Sequence, residues 1–266
     1  MPRAGEAVET ASQYEQFADV YAVWTRTAGS TGANLPYYRD AYLAADGPVV
    51  ELGIGDGRIA VEAARRGCRV TGVDASPAML RLCRERAARA GVTDRLRLLE
   101  ADFRSFQLAE PAALVALPYH SVGHLTTPDD RRRAFDRIHG QLRPGGRFLF
   151  DDFHVTGARV AELRRVELRA AYTRDGADRL LWVTSLVEEA SRLLTVVTWE
   201  DTLDADGRLA DRRYRQLHLS WMPPEEAAVL LRAAGFEVEA CWGDFDGTPF
   251  DAATATEQIW AARRPA

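Results

Sequence analysis

The segment VVELGIGDGRIA, residues 49–60, constrains this chain more than any other. Its first half is an apolar run of strand length and its second half opens an amphipathic helix. Three glycines, Gly53, Gly55 and Gly57, fill the turn between them. Such a turn lets backbone approach a ligand closely and presents the free N–H groups of a helix start. The spacing is G-x-G-x-G with Arg58 where a dinucleotide fingerprint needs its third Gly, and no G-K-[ST] follows, so neither a nicotinamide site nor a P-loop fits.

Around this turn the chain alternates. Strand-like runs at 48–53, 68–74, 95–102, 112–118 and 147–153 are separated by helical runs at 58–67, 76–91 and 128–142. Ser76 is placed as an N-cap, Pro77 in the first turn and Gly91 as the helix stop. This alternation predicts a parallel sheet covered on both faces. Ahead of it, residues 1–12 read as frayed, 13–28 as an amphipathic helix with Phe17, Tyr21 and Trp24 on one face, and roughly 35–45 as a second helix after a Gly/Ser/Thr stretch. After residue 160 the pattern changes. The β-rich runs 180–189, 193–203 and 211–222 have hairpin-like turns between them and no helix. They predict an antiparallel cap of three or four strands, about 165–222, before the core resumes with a helix at 223–235 and two closing strands. The domain reading is an N-terminal helical segment 1–47 over the ligand site of the glycine turn, a core of 48–164 and 223–266, and the cap.

Composition removes several function classes. The net charge is −5, against a broad nucleic-acid footprint. All 34 basic residues are Arg, so Schiff-base, Walker and general-base lysines are excluded. Cys68, Cys83 and Cys241 show no C-x-x-C spacing, which argues against a disulfide framework or structural zinc. No apolar run reaches membrane-spanning length and no signal stretch opens the chain. The expectation is a cytoplasmic enzyme, monomer or homodimer, with a small-molecule partner and neither nucleic acid nor membrane.

Acids stand at the strand ends, where open α/β sheets bind ligands. Glu51, two residues before the first Gly, can accept from an ammonium group. Asp74 ends the second strand, where a carboxylate can hold both ribose hydroxyls. Asp102 ends the third, followed by Phe103, where an acid and an aromatic can meet an adenine. With VTGVDASPAML at 70–80, LEADFRSF at 99–106 and LRPGGRFLF at 142–150, the set resembles, in order, the core motifs of class I S-adenosylmethionine-dependent methyltransferases. The resemblance implies a Rossmann-like, mostly parallel seven-stranded α/β sheet with helices on both faces, here with the antiparallel β cap inserted. It implies S-adenosylmethionine as cofactor and S-adenosylhomocysteine as product. By it, Gly53, Gly55 and Gly57 line the methionine moiety, Glu51 meets its amino group, and Asp74 holds the ribose. Ala75 and Met79 lie near the adenine, Asp102 and Phe103 flank its rim, and Leu117 touches the methionine end. Asp56 stands where many members carry Thr.

The segment Leu117–Leu125, with Ser121, Gly123 and His124, is similar to the S-x-G-H-L segment of antibiotic-pathway aminosugar N,N-dimethyltransferases. FADVYAVW at 17–24 looks like their first helix, whose Tyr approaches the cofactor; that role passes to Tyr21, while Thr25 stands where they have a second Tyr. His124 and then His120 are the candidate catalytic or acceptor-anchoring residues. Asp151, Asp152 and His154 end the fifth strand and invite a metal reading, but no third ligand can be placed, so no metal is expected. The leading function is methyl transfer to N or O of a small, secondary-metabolite acceptor. A non-methylating reaction on the same cofactor (cyclisation or elimination) and a cofactor-binding partner role stay open as alternatives.

Overall fold

The computed structural model describes residues 10–27 and 30–266. The frayed start expected over 1–12 lies outside them up to residue 9; from Thr10 the chain is already helical. Helix α1 (Thr10–Thr27) is followed by α2 (Ser30–Ala44), which begins earlier than the Gly/Ser/Thr stretch suggested and carries Pro36 inside it. Tertiary burial outweighs that weak propensity: Tyr38 and Tyr42, one turn apart, are 0% and 1% exposed.

The alternating region then forms β1 (Val49–Leu52), α3 (Arg58–Arg65), β2 (Val70–Asp74), α4 (Pro77–Ala90), β3 (Leu96–Glu100), β4 (Ala112–Leu117), α5 (Pro128–Gln141) and β5 (Leu142–Phe153). Strands β1 and β4 are buried along their whole length, as continuous apolar strands covered on both faces must be. The caps fall where the sequence put them. Ser76 Oγ accepts from the Met79 N–H at 3.3 Å, and Gly91 closes α4 in the left-handed region. Strand β5 starts earlier than expected, because Leu142 already pairs with Ala112 before the Pro-Gly-Gly excursion and register resumes at Arg147 opposite Leu114.

Helix α6 (Gly157–Leu163) leads into β6 (Glu167–Arg174), β7 (Ala177–Glu188), β8 (Leu193–Leu203) and β9 (Leu209–Ser220). These four strands pair in order as one antiparallel sheet. The β-rich runs account for three of them; β6, a largely exposed edge strand, escapes a periodicity reading, as does α6. Helix α7 (Pro224–Ala233), β10 (Glu237–Trp242) and β11 (Glu257–Arg263) return to the first sheet. Its order is β10-β11-β5-β4-β1-β2-β3, seven strands with β11 alone antiparallel to its neighbours. The main core packs β1, β4 and β5 under α5 and α7, with Leu117, Phe135, Phe148 and Phe150 at its centre. Helix α1 lies apart, its Phe17, Val20 and Val23 packed with Leu181 of β7.

Candidate active site

The glycine turn runs directly off β1. Gly53 and Gly55 have φ of 63° and 56°, a region other residues enter at a cost. A Cβ on Gly53 would stand 3.0 Å from Ser121 Oγ, and one on Gly55 3.3 Å from the Tyr21 hydroxyl. Both would fill the cradle that the turn makes with α1 and the loop after β4. Gly57, expected at the ligand, faces elsewhere: its missing Cβ makes room for Cys83 Sγ, and it does not line the cavity.

That cavity is lined by Tyr21, Glu51, Gly53, Gly55, Asp74, Ala75, Met79, Asp102, Phe103 and His124 among the sequence-predicted residues. Leu117 is not in it; it is fully buried in the core, and Pro118 after it reaches the cavity instead. His120 is also absent from it.

The acids at the strand ends occupy different electrostatic settings. Glu51 is 2% exposed, and its Oε2 has no hydrogen-bond partner of normal geometry. Burial pushes its carboxyl up to about 8, with the Tyr42 hydroxyl and Arg58 pulling it partly back. A buried carboxyl with no cation in contact is what an incoming ammonium group would satisfy. Asp74 is raised by burial too, against the N–H groups that hold it. Its Oδ2 accepts from the Gly55 N–H at 2.8 Å and its Oδ1 from the Ser76 N–H at 2.9 Å, which ties the glycine turn to the end of β2. Asp102 is already engaged. Arg104 clamps it through Nε at 2.9 Å and Nη2 at 2.5 Å, and reaches on to Asp130 at 2.9 Å. Arg104 lines the cavity and was not singled out in the sequence.

Opposite the glycine turn, the Tyr14 hydroxyl is 2.9 Å from His124 Nε2. Burial drives the His124 pKa down to about 4 and the Tyr14 pKa far above its ordinary value. The imidazole is therefore neutral and Nε2 accepts from the phenol, with the proton on Nδ1. Tyr14 has no sequence signal of its own: it sits one turn before Phe17 on an aromatic-rich helix.

The loop from β4 passes through Tyr119 and His120, both in the left-handed region at φ of 60° and 55°. Two successive non-glycine residues there are strained. Asp151 on β5 holds the pair, accepting from the Tyr119 N–H at 2.9 Å, the His120 N–H at 2.8 Å and the Tyr38 hydroxyl at 2.5 Å. His120 stacks on Phe153 and reaches Glu257 Oε2 at 2.6 Å, with Asp151 3.6 Å away. Burial works against its charge, but Glu257 and then Asp151 outweigh it, lifting the imidazole to about 9. The third partner that the sequence could not place beside Asp151 is thus Glu257, with His120 between them, all within 4.8 Å. Asp152 and His154 turn away, to the Met222 N–H and the Ala252 carbonyl.

A second, larger cavity of about 880 Å³ opens between α1, the β4 loop and the four-stranded sheet. That is ample for a small-molecule acceptor. Tyr14, Tyr21, Tyr119 and His124 line both cavities, while His120, Glu257 and Phe153 line only the second. Among the described residues no helix is long and apolar enough to cross a membrane.

Comparison with known proteins agrees with this geometry. Residues 49–146 match a family model described as a methyltransferase domain. A cypemycin N-terminal methyltransferase from Streptomyces is 26% identical over 230 residues, covering 84% of this chain and 86% of that protein. The chain also matches carboxy-S-adenosyl-L-methionine synthases and a sterol 4-C-methyltransferase of Caenorhabditis elegans, but spans only 51% and 64% of the length of two such synthases and 31% of the sterol enzyme. Among solved structures, the CcbJ methyltransferase of Streptomyces caelestis superposes with a TM-score of 0.80 at 25% identity, over 97% of this chain and all of that one. The amino pentose methyltransferase of calicheamicin biosynthesis from Micromonospora echinaspora shares the fold, with a TM-score of 0.70 at 22% identity over 92% and 96% of the two chains. Residues 49–146 are thus similar to a methyltransferase domain, set in a fold shared with solved methyltransferases.

Proposed function

We propose that this chain transfers a methyl group from S-adenosylmethionine to nitrogen or oxygen of a small-molecule acceptor of secondary metabolism. The carrying observation is that the cofactor cavity and the larger cavity meet at Tyr14, Tyr21, Tyr119 and His124. An acceptor atom in one can there face a methyl in the other. Glu51 would take the cofactor's ammonium group and Asp74 its ribose hydroxyls, with Ala75, Met79 and Phe103 along the adenine. Asp102, clamped by Arg104, would serve the adenine rim through its remaining lone pairs.

When bound, the cofactor supplies a methyl already activated by a positive sulfur. What remains for the chain is alignment and exclusion of water. Tyr14 and Tyr21 of α1 close one side, and the strained Tyr119–His120 turn the other. His124, neutral and held by Tyr14, lines the junction without a positive charge to oppose the one an attacked amine develops. An amine attacks as the neutral base and needs no prior deprotonation by a strong base, so a neutral imidazole favours nitrogen. The relative named for N-terminal methylation supports the same choice. A cytoplasmic location and a monomeric or homodimeric state complete the reading, the former supported by three unpaired cysteines.

Calorimetric titration with S-adenosylmethionine and S-adenosylhomocysteine tests it, with Asp74→Ala alongside. Micromolar binding is expected, weakened by ~100-fold in the variant, as loss of charge-assisted hydrogen bonds to two hydroxyls implies. A folded wild type that binds neither ligand overturns the reading. Acceptor screening by mass then asks whether product is one methyl heavier; a cyclised or eliminated product would replace methylation with other chemistry.

A further inference from the structure

We infer that the acceptor carries an anionic group, a carboxylate or a phosphate, received by Arg169 inside the larger cavity. The inference rests on the methyltransferase reading and names the acceptor's class. In the edge strand β6, Leu168 pairs with Trp182 and Ala170 with Leu181, so Arg169 is the extra residue of a β-bulge. Bulges re-aim a side chain out of the ordinary alternation. Here the side chain lines the cavity, with its guanidinium carbon 4.9 Å from the Trp24 ring centroid. Its Nε is buried and makes no hydrogen bond.

The other arginines of this sheet show what is unusual. Arg179, Arg212 and Arg215 each meet a carboxylate at 3.1 Å or less. No described carboxylate lies within ion-pair distance of Arg169. The acids nearby are committed or peripheral: Glu162 pairs with Arg159, Glu257 with His120, and Glu167 and Asp244 are exposed. A guanidinium held over an aromatic ring, with no carboxylate partner, suits a carboxylate or phosphate. Burial raises the Tyr119 hydroxyl while Trp24, Arg58 and Arg169 pull it back, which sets Arg169 within electrostatic reach of the residue where the two cavities meet.

The probes are benzoate, phenyl phosphate and, as the neutral control, benzyl alcohol. Each is titrated calorimetrically into the full chain saturated with S-adenosylhomocysteine. At least one anion is expected to bind ~10-fold tighter than benzyl alcohol, with Arg169→Gln removing the difference and Arg169→Lys keeping part of it. Preference for benzoate assigns a carboxylate, and preference for phenyl phosphate a phosphate. Equal binding of all three by the wild type overturns the inference, as does an Arg169→Gln variant that still prefers the anion. S-adenosylhomocysteine affinity, read first without probe, is expected to be unchanged in both variants, because Arg169 does not line the cofactor cavity. Failure of the wild type in that first titration counts against the methyltransferase reading, whereas failure of anion preference alone counts against Arg169.

Discussion

The two sheets of this molecule are held by different forces. In the seven-stranded sheet, β1 and β4 are buried throughout, and Glu51 is the one charged residue in either strand. Around these strands its layers are held by apolar burial, which is strong but non-directional, while its buried acids Asp151 and Asp152 on β5 hold the loop after β4 and the Met222 N–H. The four-stranded sheet buries Arg215 at 1%, Glu200 at 2% and Asp201 at 6% exposure. Arg215 donates to Asp19 at 2.6 Å, to Glu200 at 2.9 Å and to the Gln16 carbonyl at 2.9 Å. Helix α1 is therefore seated on this sheet by a directional network as well as by Phe17 and Val20. On the proposed function the difference suits two jobs: strand ends of the seven-stranded sheet would fix the cofactor, and a hydrogen-bonded seam would fix where α1 stands over it and beside the acceptor.

The sharpest way to break this comparison is Arg215→Ala. It takes the buried cation from Glu200 and Asp19, leaving Glu200 with Arg179 at 3.1 Å and Asp19 with Arg213 at 2.8 Å, so the loss should approach the about 3–5 kcal/mol of breaking a buried pair without exceeding it. Urea denaturation should show that loss. Arg215→Met combined with Glu200→Gln should recover part of it, since no buried charge is then left alone at Glu200. A loss under ~1 kcal/mol for Arg215→Ala, the range of surface pairs, would mean that apolar packing alone holds α1 and that the two sheets do not differ.

The two loop histidines sharpen the comparison through pH, with opposite signs. His124 joins Tyr14 of α1 to the loop after β4 and is held neutral, its pKa lowered to about 4. The unfolded chain binds its proton near 6.5, so stability falls as pH drops from about 6.5 to about 4, by about 3 kcal/mol at the full shift. His120 lies against β5 and β11 and is raised to about 9 by Glu257 and Asp151 against the pull of burial. Its contribution is complete below about 6.5 and is lost as pH rises through about 9. His124→Gln should flatten the acid limb and His120→Gln the alkaline limb. If each variant altered the other limb, the protonation states drawn from the structure would be reversed.

What could be read from the sequence follows the same division. The βα alternation, the Ser76 cap, the Gly91 stop and the acids Glu51, Asp74 and Asp102 are all local signals, and the structure brings those acids to one cavity. Gly57 and Leu117 were drawn to the ligand by their place in motifs, yet each answers to packing, one against Cys83 and the other in the core. Tyr14, Arg104 and Glu257 come to the site only through folding: His124 is 110 residues from Tyr14, and Glu257 is 137 from His120. No periodicity carries pairings of that span. Strand β6 falls inside the expected cap as its fourth strand, but an exposed edge strand has no buried face to impose alternation, so neither its bounds nor the direction of Arg169, which depends on a bulge, has a sequence signal.

The smallest effect separates the two attachments of α1. Besides Arg215, the helix has a second clip, to the core: Glu15 Oε1 accepts from Ser76 Oγ and from the Ala78 N–H, both at 3.0 Å. Ser76 Oγ in turn caps α4 by accepting from the Met79 N–H. Ser76→Ala removes the cap and one half of the clip, and should cost about 1 kcal/mol, the usual worth of an N-cap. Glu15→Gln leaves the cap intact and weakens only the clip, so it should cost less. If α1 belongs chiefly to the four-stranded sheet, both variants keep S-adenosylhomocysteine affinity within ~3-fold of wild type, well under 1 kcal/mol, because Arg215 still seats Tyr14 and Tyr21 over the cofactor cavity. An affinity loss larger in Glu15→Gln than in Arg215→Met/Glu200→Gln would assign the helix to the core instead, and the seam that defines the acceptor cavity would then lie between α1 and the four-stranded sheet.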